Sequence, residues 1–127
     1  MIMLIDDDVG MRDMCSLFLE SKGFQVNVAA NGSEALCQMR DGSHELVISD
    51  CGITGMSGVE LCANLKADPS TAQLPILLMS ASMRRDVADG ADCDAFLRKP
   101  FLAENFLAQV KTLLSPQAGG AISLAKA

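Results

Sequence analysis

The sequence holds no Trp, no Tyr and a single His. Cations are also scarce: 10 Lys and Arg stand against 16 Asp and Glu, for a formal net charge of -6. That balance excludes direct nucleic-acid binding, because neutralising phosphates takes a surplus of Lys and Arg. It excludes an anionic membrane surface as partner for the same reason. No apolar run approaches the roughly 18–20 residues needed to span a bilayer. The start, Met1 to Asp8, lacks the basic opening and long apolar stretch of a secretory signal. A cytoplasmic setting without a membrane partner is the expectation. Cys15, Cys37, Cys51, Cys62 and Cys93 form no C-x-x-C pair, so zinc-ligand spacing is missing and the thiols read as buried and reduced. No G-x-G-x-x-G or G-K-[ST] loop occurs, which removes nucleotide and flavin binding.

What is present is an ordinary globular balance. Half of the 127 residues are hydrophobic and 20% are charged, enough for one domain with its own core. Short apolar runs read as strands at Ile2–Ile5, Val26–Ala29, Leu46–Ile48, Ile76–Met79 and Ala95–Leu97. Their continuous apolar character suits parallel strands buried on both faces. Helical spacing fills the gaps. Met11, Met14, Cys15 and Phe18 give the first helix an apolar face, which stops near Lys22–Gly23. A second helix covers Ser33–Arg40, with Ala35, Leu36 and Met39 inward. A third covers Val59 to Lys66 and ends before Asp68–Pro69. Met83–Asp89 reads as a short, weak helix. The last carries Leu102, Phe106, Leu107, Val110, Leu113 and Leu114 as one stripe. Residues 1–115 form the domain, and 116–127 read as a flexible tail or linker.

Strand and helix in repeated alternation imply an α/β domain with a parallel sheet, right-handed crossovers and helices on both faces. Function in such sheets gathers at the carboxyl ends of the strands. Those ends carry Asp6-Asp7-Asp8, Asp50, Ser80 and Lys99-Pro100. Several carboxylates in one crevice oppose each other's ionisation. A hard divalent cation such as Mg2+ relieves that conflict and takes oxygen ligands. A carboxylate is also a nucleophile toward phosphorus, and Lys99 and the Ser80 hydroxyl suit phosphoryl oxygens.

On these motifs the chain resembles the receiver domain of two-component response regulators, from about Ile2 to Leu114. The matching stretches are Leu4-Ile5-Asp6-Asp7-Asp8, Leu46-Val47-Ile48-Ser49-Asp50 with Met56 and Gly58, Pro75 to Ala81, and Phe96-Leu97-Arg98-Lys99-Pro100-Phe101. The resemblance implies a flavodoxin-like, doubly wound, five-stranded parallel sheet in order 2-1-3-4-5, a (βα)5 three-layer sandwich. It implies that Asp50 accepts a phosphoryl group from a histidine kinase or histidine phosphotransfer protein. Asp7, Asp50 and the Gly52 carbonyl would bind Mg2+, with Asp6 acting through a water. Ser80 and Lys99 would meet the phosphoryl group, Ser80 and Phe96 would switch conformation, and the Lys99–Pro100 bond would be cis. The partner downstream is a separate protein or an attached output domain. Such a domain catalyses its own phosphorylation and dephosphorylation and is otherwise no enzyme.

The chain departs from the family pattern at several positions. Thr54 replaces a common Pro, Gly52 a bulkier apolar residue, and Asp92 a Gly. Gly52, Gly55 and Gly58 make the Asp50 loop glycine-rich, and small residues at Gly52 and Ser82 imply easy water access and a short-lived phosphoryl group. The stretch from Ser80 to Lys99 is shorter by about one helical turn. Phe96 lacks the hydroxyl of the common Tyr. Two alternatives differ in class. A haloacid-dehalogenase-type phosphatase would need a second Asp after Asp50-Cys51 and room for a cap. A pseudo-receiver would be a phosphorylation-independent interaction module. Among the remaining residues, His44 reads as a surface residue, and the Cys51 side chain points away from that of Asp50.

Overall fold

The computed structural model describes residues 1–52, 55–81 and 93–115. The elements are β1 (Ile2–Ile5), α1 (Val9–Ser21), β2 (Val26–Ala29), α2 (Gly32–Gln38), a 3-10 turn (Met39–Asp41), β3 (Leu46–Asp50), α3 (Gly58–Ala67), β4 (Ile76–Ser80), β5 (Ala95–Arg98) and α4 (Ala103–Leu114). The Met83–Asp89 segment, Thr54, Ser82, Asp92 and the 116–127 tail lie outside the described residues.

The first three helices start where side chains cap them. Asp8 accepts from the Gly10 and Met11 amides at the head of α1. Asn31 accepts from Glu34 on α2. Ser57 and Glu60 form a reciprocal capping box on α3. Gly23 ends α1 with φ +95, a conformation that costs glycine little.

The five strands pair in parallel in the order β2-β1-β3-β4-β5. Side-chain alternation splits the core into two layers. Met3, Ile5, Val47, Ile76 and Leu78 face one side and pack with Ala35, Leu61, Cys62 and Leu65 of α2 and α3. Ile2, Leu4, Ile48, Leu77 and Met79 face the other and pack with Cys15, Leu19, Phe106 and Val110 of α1 and α4. The expected three-layer α/β architecture is therefore observed. The free side of β2 is blunted by α2: Gln38 Nε2 donates to the Val28 carbonyl at 3.1 Å and Glu34 accepts from Ala30 N at 2.8 Å. No helix among the described residues is long and apolar enough to cross a membrane.

Four side chains sit differently from the sequence expectation, one of them Cys37, which is exposed rather than buried. Met14 is 57% exposed, because the buried face of α1 runs through Met11, Cys15, Phe18 and Leu19 instead. Leu102 precedes α4 as its N-cap residue and is exposed rather than part of the stripe. His44 is buried, 6% exposed, with Nε2 3.0 Å from the Asn27 amide nitrogen on β2.

Candidate functional site

The strand order reverses around β1, so the crevice opens between the carboxyl ends of β1 and β3. Asp6 follows β1 directly, and Asp50 is the last residue of β3. Ser80 ends β4 next to it, and Lys99 follows β5. The Lys99 amide donates to the Ser80 carbonyl at 2.8 Å, which ties the two outer strand ends together. The Lys99–Pro100 peptide is cis, as the resemblance implies.

Lys99 Nζ lies 2.8 Å from Asp50 Oδ1 and 3.1 Å from Asp6 Oδ2. Side-chain exposure is 13% for Lys99, 2% for Asp6 and 16% for Asp50, so the bridge is shielded while Asp50 stays reachable. Each carboxylate spends its other oxygen on a main-chain donor: Asp6 Oδ1 accepts from Asp8 N at 3.0 Å, and Asp50 Oδ2 from Gly52 N at 2.9 Å. Charge-assisted bonds of this kind fix both groups. Burial alone pushes the Lys99 ammonium down, but its hydrogen bonds to Asp50 and Asp6 and their charges outweigh that, and its pKa ends above the ordinary 10.5.

The sequence leads one to expect at least three converging carboxylates. Two meet on Lys99, which itself relieves their repulsion. Asp7, the next residue, is exposed. Among the described residues, no group of three His, Cys, Asp or Glu side chains is gathered to hold a metal ion. The donor chemistry nevertheless suits Mg2+, which takes one or two carboxylates, other hard oxygens and several waters. Asp7, Asp50 and the Gly52 carbonyl would be the residues to hold it.

Two neighbours, Gly58 and Arg12, complete the site that sequence reading overlooked or only touched, and a third, Lys66, braces the opposite end of the sheet. Gly58, at the first turn of α3, lies against the end of β3: a Cβ there would fall 2.6 Å from the Asp50 carbonyl oxygen and 2.8 Å from Cys51 Cα. Its place in the matching motif gave a hint, but the reason is packing. Arg12 Nη1 donates to the Asp6 carbonyl at 3.3 Å and braces the β1 turn, a contact that its place in the first turns of α1 allows. Lys66 Nζ donates to the Leu74 carbonyl at 2.9 Å and to Asp94 Oδ2 at 3.2 Å, fixing the entrances of β4 and β5.

The cysteines near the site are quiet. Cys51 packs into the α2 and α3 layer, opposite Asp50, as strand alternation requires. Burial first, then the charges of Asp50 and Cys93, push its thiol to about 11 against the pull of Lys99. Phe96 is half-buried in the same layer, in register with Leu78.

Comparison with known proteins agrees with this geometry. The family model described as the response regulator receiver domain matches residues 2–111. The chain is 34% identical over 118 residues to the phosphate regulon transcriptional regulatory protein PhoB of Rhizobium meliloti, covering 89% of this chain and 51% of that protein. It is 36% identical over 120 residues to the response regulator Rre1 of Synechocystis, covering 91% and 52%. The chain thus spans about half the length of these relatives. Among solved structures, the receiver domain of a signal transduction histidine kinase from Syntrophus aciditrophicus superimposes with TM-score 0.83 at 29% identity, covering 89% of this chain and 88% of that one. Chemotaxis response regulator CheY4 of Vibrio cholerae gives 0.82 at 26%, covering 89% and 97%.

Proposed function

The chain belongs to the response regulator receiver domain family, and from that premise we propose that Asp50 is its phosphoacceptor. The donor is a phosphohistidine on a histidine kinase or histidine phosphotransfer protein. The observation that carries this reading is the Lys99 ammonium held on Asp50 Oδ1 and Asp6 Oδ2 at once.

An Asp50 carboxylate oxygen attacks phosphorus, a P–O bond forms, the P–N bond to the donor imidazole breaks, and that imidazole leaves with the electron pair. Phosphoryl transfer asks for positioning and charge neutralisation more than for covalent help. Gly52 N–H and Lys99 hold the Asp50 carboxylate in one orientation, and Lys99 brings positive charge beside the transferred group. Mg2+, when bound by Asp7, Asp50 and the Gly52 carbonyl, neutralises phosphoryl oxygens.

The reader of the signal is an attached output domain or a separate protein. Ser80, at the end of β4 and tied through its carbonyl to Lys99, shifts toward the phosphoryl group, and Phe96 on β5 follows. The phosphorylation-independent module has no observation in its favour, because acceptor, lysine and acidic partner are all assembled. Intact mass after incubation with phosphoramidate and Mg2+ tests the proposal. One added phosphoryl group is expected on the wild type and none on Asp50→Asn; equal addition to both sinks it.

A further inference from the structure

Arg12 stands between Asp6-Asp7-Asp8 and Asp13 in the sequence, yet it forms no ion pair with another described residue. Its Nη1 donates instead to a neutral group, the Asp6 carbonyl, at 3.3 Å. Its Nε is buried and has no hydrogen-bond partner among the described residues. A buried donor without an acceptor is costly and uncommon. The guanidinium thus gives up an ion pair and one N–H bond for a single main-chain oxygen.

That oxygen marks where β1 leaves the sheet. The pairing of β1 with β3 runs as far as Ile5 and Ser49, and the Asp6 amide still donates to the Ala29 carbonyl at 3.2 Å. The Asp6 carbonyl belongs to the next peptide, which joins Asp6 to Asp7, and Arg12 Nη1 holds it. The far side of Asp7 is held too. The Asp8 amide donates to Asp6 Oδ1 at 3.0 Å, and the Arg12 amide donates to the Asp8 carbonyl at 2.9 Å. A peptide unit is planar, so fixing its oxygen fixes the direction in which the next residue departs. Asp7 is exposed, and the course of its main chain decides which way its carboxylate can reach.

We infer that Arg12 is a positioning residue of the Mg2+ site: it sets the Asp6–Asp7 peptide and, through it, the approach of the Asp7 carboxylate to the cation. The inference rests on the reading of Asp7 as an Mg2+ ligand. Partners behind a metal ligand commonly matter in this way. Charge alone gives the opposite sign, because a guanidinium near the site repels a divalent cation and its removal would tighten binding.

Calorimetric titration with Mg2+ alone tests the role. Arg12→Met removes the donor and keeps an apolar stem; Arg12→Gln is a second, polar replacement. Both should weaken Mg2+ binding about tenfold, the lower end of the usual loss for such partners. Lys66→Met, which loosens the opposite end of the sheet, should leave binding unchanged. Asp7→Asn should weaken it more than either Arg12 variant. Unchanged or tighter binding in both Arg12 variants, with Asp7→Asn still weakened, overturns the role of Arg12 and leaves Asp7 as a ligand. Equal weakening by Lys66→Met overturns it as well, since the loss then follows stability. Wild-type affinity in Asp7→Asn removes the premise and the inference with it.

Discussion

The Lys99 ammonium lies 2.8 Å from Asp50 Oδ1, and the same nitrogen reaches Asp6 Oδ2 at 3.1 Å. One cation thus holds Asp50 and Asp6 from the far edge of the sheet. Removing it leaves two carboxylates facing each other without a counter-charge.

Lys99→Met should slow phosphoryl uptake from a small donor by about 10²-fold, the usual loss when one charge-stabilising donor is removed. Mg2+ binding, measured by calorimetry, should tighten by about threefold to tenfold, because a competing cation is gone. The raised pKa of Lys99 adds a stability signature. Its contribution is fully present below the ordinary 10.5 and is lost as pH rises through the higher folded value. The stability difference between wild type and Lys99→Met should therefore hold steady up to mildly alkaline pH and shrink above it. A difference that does not change with pH contradicts the pairing.

His44 carries the opposite sign. Burial holds its pKa below 6.5, against the pull of Asp41 and with the help of the chain's terminal amine. The stability that the neutral ring contributes is present above 6.5 and is lost as pH falls from there toward the folded value. Urea midpoints should drop from about pH 7 to about pH 5.5, and the drop should be smaller in His44→Gln. Parallel curves would place the imidazole in solvent.

Gly58 admits no side chain without movement of the end of β3. Gly58→Ala should cost about 1–3 kcal/mol, the usual range for overpacking. Urea unfolding measures it, and a change within about 0.5 kcal/mol, the level of a neutral surface substitution, shows that the strand end yields freely.

Gly52 is exposed beside the acceptor, and a Cβ there would lie 3.3 Å from Asp50 Oδ2. No side chain at this position stands between water and the phosphoryl group. Gly52→Arg should lengthen the lifetime of the phosphorylated protein several-fold, read by intact mass after removal of the donor. An unchanged or shorter lifetime removes Gly52 as a determinant.

The sheet and its functional end were legible because their signals are local. Each apolar run stands out locally, and Asp50, Ser80 and Lys99 come within two residues of the end of such a run. The strands extend one or two residues past the apolar run, through Asp50, Ser80 and Arg98, because main-chain pairing continues under polar side chains. What was not legible depends on distant partners. His44, between Ser43 and Glu45, reads as exposed until β2 brings Asn27 against it. Met14 satisfies helical spacing as well as Leu19 does, and only the position of α4 decides which is covered. The position of Lys99 at the crevice was legible, but its direct pairing with both Asp50 and Asp6 was not.

Chemical mapping of the acceptor tests the central claim most directly. The protein is treated with phosphoramidate and Mg2+, reduced with borohydride, digested and weighed peptide by peptide. Borohydride converts an aspartyl phosphate to homoserine. Conversion at position 50 alone, abolished by a chelator and by Asp50→Asn, is the predicted result. Conversion at Asp6 or Asp7 with position 50 intact, or none anywhere in the wild type, contradicts the assignment of Asp50.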